Sequence, residues 1–415
     1  QRLADAYMPD NSSKCNITFS FNDNLWKYSD WKNYEIKYQP NMWWNSTDGI
    51  KIGLNLKGGY LNHHHLFDAT VWMNSGIKQD QTTENYSDFD DLSYRFSYQT
   101  NLDQISLKSK INFNSSYIAG LQSNKISLEK SSDNGNNKLS VSLLSLLRPE
   151  NSSSNYILNT DSWNKNKYNN RIDVNLEHKY NYSYGNGTIN LKLQSSSLWS
   201  NYDYFKLILS AKNNNKLDKL KINTRAYLQM GSGDNWAEES KLGLAGANYE
   251  EMMDSKFTRT EGLVSSEFMG YDYTTNYFHQ SGGLNLRGYT GYLAPEFNED
   301  GTFIRNEYNG TSGAAFNTEI DFTAYLPYLI RKNNFDSYLF ADAGIISSDG
   351  KILTKIREEK YKELFSDIRV DAGIGFTYTL RNFGPLETVK PLVIRFDMPL
   401  FLNRPPSSDE EFFQM

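Results

Sequence analysis

In the stretch GGLNLRGYTGYLAPE, residues 282–296, Arg287 is the only charged side chain before the terminal glutamate. A guanidinium offers five donors in a rigid fork and keeps its charge, so its natural chemistry is to grip a carboxylate bidentately or to bridge two. Gly288, with Gly282, Gly283 and Gly291 nearby, lets the backbone turn tightly and approach another surface. Tyr289 supplies a ring that can pack there. Arg369 with Asp371, and Arg395 with Asp397, repeat an Arg-x-Asp spacing. Residues two apart share one face of a strand, so each pair can cross-link a wall or, alternatively, line a charged pore. His63, His64 and His65 are consecutive, alternate across a strand and have no cysteine or carboxylate at ligand spacing, which reads as a solvated turn. The acidic doublets Glu238-Glu239 and Glu250-Glu251 read as solvated loop charge. No G-x-S-x-G, H-E-x-x-H, phosphate-binding loop or dinucleotide fingerprint occurs, so neither an enzyme activity nor a cofactor or metal is expected within these residues.

The chain has 415 residues and a formal charge of −6, which supplies no basic field for nucleic acid. A lone Cys15 excludes a disulfide framework and a multi-cysteine metal site. The unusual feature is 29 Tyr, 23 Phe and 8 Trp in a chain whose mean hydropathy is −0.66. That is aromatic yet polar, and no window approaches the 18 or so apolar residues of a membrane-spanning helix.

Alternation with period two runs through most of the length. In RIDVNLEHKYNYSY one face carries Ile172, Val174 and Leu176, and the other Asp173, Asn175 and Glu177. TINLKLQ follows in the same pattern, with Gly185-Asn186-Gly187 as the hairpin turn between them. This pattern places strands at 34–44, 49–60, 66–75, 91–100, 105–118, 122–130, 137–146, 171–184, 188–198, 202–212, 219–230, 314–326, 336–346, 367–380 and 391–401. Strands this long suit a bilayer crossing, for which about 9 to 11 tilted residues suffice. The fold class expected is all-β, a transmembrane antiparallel barrel with apolar residues facing lipid, polar residues facing a wet lumen and girdles of Tyr and Phe. A large soluble solenoid or sandwich is the alternative. Fifteen is an odd number, whereas single-chain bacterial barrels have even ones. The preferred source of a sixteenth strand is a truncated one beginning near Phe412, and the rival is CNITFSFND, residues 15–23. Residues 1–33 then form an N-terminal extension, 34–415 the barrel, and 231–313 a long patternless loop holding Arg287.

The LRGY of Leu286–Tyr289, lying in a long loop between the eleventh and twelfth strands, resembles the BamA and TamA superfamily of outer-membrane assembly barrels (the bacterial surface antigen barrel). Those have sixteen strands and a sixth external loop that folds into the lumen carrying a [VL]-R-G-[YF] motif. AAFNTEIDFTAYLP, with Glu319, resembles the family's twelfth strand. YLFADAG, with Phe340, Asp342 and Gly344, resembles its thirteenth, and IRVDAGIGFTYTL and GPLETVKPLVIRFDMPL the two after it. Within these residues no match is expected to the family's closing strand with its terminal aromatic or to its POTRA modules. RLADAYMPDN and WWNSTDGIKIGLNLKGGYLN resemble the barrel portion attached to aminopeptidase-like proteins of Bacteroidota.

Alternation puts Glu319 and Asp342 on inward faces of neighbouring strands, where two carboxylates repel unless a cation sits between them. Arg287, Gly288, Tyr289, Glu319 and Asp342 are therefore the expected anchor of the loop, as a gate or merely a plug, and Arg369, Asp371, Arg395 and Asp397 the expected inner-wall charges. The resemblance implies a place in the outer membrane of a Gram-negative bacterium, contact with lipid and lipopolysaccharide, and assembly or translocation of client polypeptides with accessory lipoproteins as further partners. A barrel that anchors or exports a fused peptidase-like domain, a passive porin and a soluble adhesin are the other readings.

Overall fold

The computed structural model describes residues 16–22, 33–45, 47–60, 64–77, 88–103, 105–156, 163–197, 199–253, 259–261, 277–279, 282–290, 295–297, 303–306, 308–327, 334–347, 365–380 and 392–404. One sheet of sixteen strands dominates them. In chain order they are β1 (Asn16–Phe21), β2 (Asn33–Asn45), β3 (Gly49–Tyr60), β4 (His64–Asn74), β5 (Leu92–Asn101), β6 (Ser109–Ile118), β7 (Leu121–Ser131) and β8 (Asn137–Leu147). There follow β9 (Tyr168–Tyr182), β10 (Gly185–Ser196), β11 (Asp203–Leu217), β12 (Leu220–Asn235), β13 (Ser312–Asp321), β14 (Phe335–Ser347), β15 (Arg369–Leu380) and β16 (Leu392–Leu402). Each strand pairs with the next, and among the described residues one α-helix, α1 (Tyr249–Met253), sits in the β12–β13 loop.

The alternation that made these segments strands also decides what each face meets. On the outer face Met42 is 73% exposed, Met73 60%, Leu143 57%, Phe316 52% and Leu400 59%. Leu, Ile, Val, Phe and Met side chains repeat this on nearly every strand, a continuous apolar surface far larger than water tolerates on a monomer. It is the lipid-facing surface of a barrel. The opposite face is polar, and its burial is graded. Along β9, Asn169, Arg171 and Asp173 are buried, Asn175 and Glu177 partly so, and Lys179 and Asn181 exposed. The gradient on β11 falls the same way, from buried Tyr204 and Lys206 to exposed Lys212 and Asn214. The lumen is thus filled at the end from which the long connectors 148–167, 236–311 and 348–368 leave (the loop end) and open at the other (the turn end).

The structure corrects several sequence expectations. Asn16–Phe21, placed in the extension, joins the sheet as β1, with Ile17, Phe19 and Phe21 on the outer face, and it pairs with β2 in parallel. Sixteen strands are therefore reached from the N-terminal side, and the sheet is not wholly antiparallel. Residues near Phe412 lie outside those described. The β9–β10 turn is Ser183-Tyr184, not the glycines after it. Gly187 lies inside β10, where a Cβ would come within 2.3 Å of the Tyr180 ring, so its glycine serves a close approach and not a turn. His64 and His65 open β4, and His65 Nδ1 lies 2.7 Å from the Tyr98 hydroxyl. The twelfth expected strand stops at Asp321, where Thr323–Tyr325 turn as a 3₁₀ segment.

A lipid-facing surface has a direct test. Leu143→Arg, mid-strand on β8, should cost about 2 to 4 kcal/mol of stability in a bilayer, measured by urea unfolding in vesicles. A change within about 0.5 kcal/mol, the usual effect of a surface substitution in water, would place that face in solvent.

Candidate functional site: a clamped loop inside the barrel

Arg287, Gly288 and Tyr289 form one 3₁₀ turn, and the arginine and tyrosine are buried. The turn is led in by Gly283 (φ +50°) and Asn285 (φ +55°), both in the left-handed region that glycine and asparagine reach most easily. Behind it Leu284, Leu286 and Tyr289 pack with Leu242 and Leu244 from the loop's first limb against Tyr227, Ala315 and Ile346 of the wall. The two limbs hold each other by backbone bonds, from the Leu284 amide to Gly243 (2.9 Å) and from the Leu286 amide to Leu244 (3.1 Å).

This packing delivers Arg287, only 4% exposed, to two carboxylates. Its Nε and Nη2 donate to the two oxygens of Asp342 at 2.7 and 2.8 Å, and Nη1 donates to Glu319 Oε1 at 2.6 Å. The guanidinium carbon stands 4.2 Å from the centre of the Phe340 ring, which completes the cage with a cation–π contact. Asn317 donates to Asp342 at 3.0 Å and to the carbonyls of Leu284 and Asn285, so the wall grips the loop backbone as well. Burial by itself would lower the arginine's pKa, but Asp342 and Glu319 more than reverse this and hold it above its ordinary value. Gly288 is dictated by contact: a Cβ there would sit 2.7 Å from both Asp371 Cβ and Leu402 Cδ2. The Tyr289 hydroxyl donates to Asn403 Oδ1 at 2.7 Å, which ties the turn to the end of β16.

The two Arg-x-Asp pairs part company. Arg395 donates to Asp397 at 2.8 Å and to Glu319 at 2.5 Å, and the Tyr338 hydroxyl donates to Asp397 at 2.5 Å. Glu319 is thereby shared between two guanidiniums, so this pair extends the anchor. Arg369 and Asp371 lie higher on the wall and form no ion pair with each other among the described residues. Asp371 is opposite Asp342 in register and packs against Gly288, and Arg369 lies 6.0 Å from the Tyr289 ring. Of the expected inner-wall charges, Arg395 and Asp397 thus cross-link the wall to Glu319 on β13, and Arg369 and Asp371 lie against the docked turn.

A second clamp holds the loop's first limb with the charges reversed. Here the wall supplies the cations: Arg171 donates to both oxygens of Glu250 on α1 and, at 2.7 Å, to Asp173, and Lys206 donates to the Ser240 carbonyl at 3.0 Å. Asn169 donates to Glu239 Oε1 at 2.9 Å. Burial alone would raise Glu250, but Arg171 and Lys206 hold it well below the usual carboxylate range. Glu239 and Glu250 are therefore not solvated charge, as sequence reading had them. The available signal was the inward Arg171 on β9 and Lys206 on β11, two cations separated by one strand on a wall with a single inward acid, Asp173, between Arg171 and the middle of β9. Glu251 joins the limbs, its Oε2 accepting from the amides of Asn248 and Gly283, both at 3.1 Å. Among the described residues no group of three or more His, Cys, Asp or Glu side chains is placed to hold a metal ion.

The junction should respond to pH. Burial pushes the Glu251 carboxyl up, and Glu250 adds to this while the Asn248 amide opposes it. A carboxyl raised on docking binds its proton more tightly in the docked state, so docking is strongest below the ordinary glutamate value. It weakens as pH climbs from that value through the elevated one. Limited proteolysis of the loop should accelerate across that window, and Glu251→Gln should flatten the profile. An unchanged profile in the variant would assign the dependence to another group.

No family model and no curated protein matches the chain. Among solved structures, BamA from Haemophilus ducreyi lacking POTRA domains 1–3 aligns at 13% identity over 88% of this chain and 66% of that one, with a TM-score of 0.48. CdiB from Escherichia coli aligns at 14% over 85% and 49% (TM-score 0.35), and OpdK from Pseudomonas aeruginosa with vanillate at 9% over 88% and 82% (TM-score 0.40). The chain spans just under two thirds of the BamA chain and half of the CdiB chain. At these scores the site rests on its own geometry.

Proposed function

We propose that this chain is an outer-membrane barrel that supports the insertion or translocation of other polypeptides, its apolar band in contact with lipid and lipopolysaccharide and its clamped loop closing the lumen. The observation that carries the reading is the buried Arg287 held by Asp342 and Glu319. A passive pore needs a through-path, whereas here both limbs of a long loop are fixed by ion pairs across the end of the lumen. The least-bonded part of the wall is instead the seam. Among the described residues β1 is the shortest strand of the sheet, at six residues, and it pairs with β2 in parallel, the slightly weaker mode. Beyond it, Pro40 turns its missing N–H to the same edge as Tyr38, whose carbonyl accepts from Asn22, and β16 carries Pro399 beside a bulge. Prolines belong on edge strands, and a lateral edge of this kind suits exchange of strands better than passage of solutes.

Two measurements test this. In planar bilayers the wild-type chain should show little steady conductance and Arg287→Ala frequent large openings. Depleting the protein from its host should lower the levels of other outer-membrane barrels. Large steady conductance of the wild type, with unchanged barrel levels on depletion, would mean a porin.

A further inference from the structure

The open half of the lumen has a charge pattern that neither the fold nor the clamps require. Four lysines on its wall are matched to carboxylates: Lys57 with Asp68 (3.6 Å), Lys138 with Glu129 (2.8 Å), Lys179 with Glu177 (3.3 Å) and Lys221 with Asp321 (2.9 Å). Lys37, Arg95, Lys110, Lys125 and Lys212 face the same space from β2, β5, β6, β7 and β11. Register places them there, opposite the inward Lys57, Ser116, Glu129, Asn114 and Arg225 respectively. None of these five has a carboxylate within 4.0 Å among the described residues. Glu35 and Asp336 are the remaining carboxylates on that part of the described wall. The chain as a whole carries −6, so this positive chamber runs against its average.

Two features show that the cations are not incidental solvation. Like charges are placed directly opposite one another, Lys37 with Lys57, Lys212 with Arg225 and Lys216 with Lys221, an arrangement that costs stability on a sheet unless an anion lies between; Asp68 and Asp321 answer only the Lys57 and Lys221 members, and Lys212 has none within 4.0 Å among the described residues. The wall between them is also amide and hydroxyl in character, with Ser97, Gln99, Asn112, Asn190 and Ser210 inward. Such groups both donate to and accept from a peptide backbone. Near β2 and β4 the wall hollows into a cleft of about 440 Å³ lined by Lys37, Lys57, Asp68, Ser97 and Gln99 among others. The clamped loop closes the far end, so any occupant enters from the turn end.

We infer that this chamber is a docking surface for an extended, acidic polypeptide segment, whose carboxylates lie between the unmatched cations and whose backbone bonds the Asn, Gln and Ser side chains. The inference deepens the assembly reading and rests on it, because it supplies the class of client segment that the lumen receives before any strand reaches the seam. The attraction is screened by salt, since the cations are spread over an open wet wall and not buried.

The test uses the full chain in detergent micelles or nanodiscs and a fluorescent, unstructured peptide rich in Asp and Glu, with its Asn/Gln counterpart as control. The acidic peptide should bind with an affinity that falls as salt rises, and the amide counterpart should bind at least roughly tenfold more weakly. K37Q, K110Q, K125Q and K212Q combined should lose roughly tenfold for the acidic peptide alone, with heat-modifiable mobility confirming a folded barrel. If that variant does not fold, Lys125→Gln and Lys212→Gln are tested separately against the same salt series. Equal binding of the two peptides, or no effect of the substitutions, overturns the proposal. Binding of inorganic polyphosphate with none of acidic peptide does so too, because the surface then serves a phosphate polymer. Acidic-peptide binding with unchanged outer-membrane barrel levels on depletion keeps the chamber and removes the assembly role.

Discussion

The structure depends on a buried guanidinium that cannot leave without exposing an imbalance. Arg287 reaches Asp342 through two parallel bonds and Glu319 through a third, and Glu319 is held in turn by Arg395. Removing one partner of such a buried group costs about 3 to 5 kcal/mol, most of it for the charge left behind. Geometry fixes the choice of residue, since lysine has no fork with which to meet two carboxylates on neighbouring strands. The glycine and tyrosine that follow are as constrained: Gly288 clears Asp371, and Tyr289 carries the turn to Asn403 at the end of β16. The loop is therefore bound to strands β13 to β16, the side of the sheet that ends at the seam.

Its other limb is bound by the mirror arrangement, with Glu250 of the loop against Arg171 and Lys206 of the wall. Two clamps of opposite polarity give the loop one register in the lumen, because a shift would face like charges against each other at both. Glu251 couples them, bonding the backbone of both limbs. What the loop fills, water leaves. What it does not fill stays wet and carries unmatched positive charge. The lumen is thus divided into a clamped half, where Arg171, Arg287 and Arg395 are each held by carboxylates of the chain, and an open half, where five cations have no carboxylate within 4.0 Å among the described residues.

Much of the fold was legible because period-two alternation is both the cause of a strand's two faces and a pattern in its letters. Asn175 inward and Leu176 outward could be assigned before any register was known. The end strand was not legible in the same way. NITFSF alternates correctly, but nothing in six residues says that it runs parallel to its neighbour. Sequence alone misplaces the turn at Ser183-Tyr184, because Gly187 reads as a turn signal where it marks an aromatic contact across strands, beneath Tyr180. Of the site, Arg287, Glu319 and Asp342 could be named since motif and alternation coincide. Glu239 and Glu250 could not, because an acidic doublet in a patternless loop looks the same whether it meets water or Arg171.

Hydrogen exchange of the Leu284 and Leu286 amides in nanodiscs tests the clamp most directly, since both are bonded to the loop's other limb and flank the docked Arg287. With Glu319→Gln and Asp342→Asn together, protection at these two amides should fall by roughly a hundredfold or more, while amides of β9 to β11 keep theirs. Unchanged protection at Leu284 and Leu286 in a variant lacking both carboxylates would contradict the account.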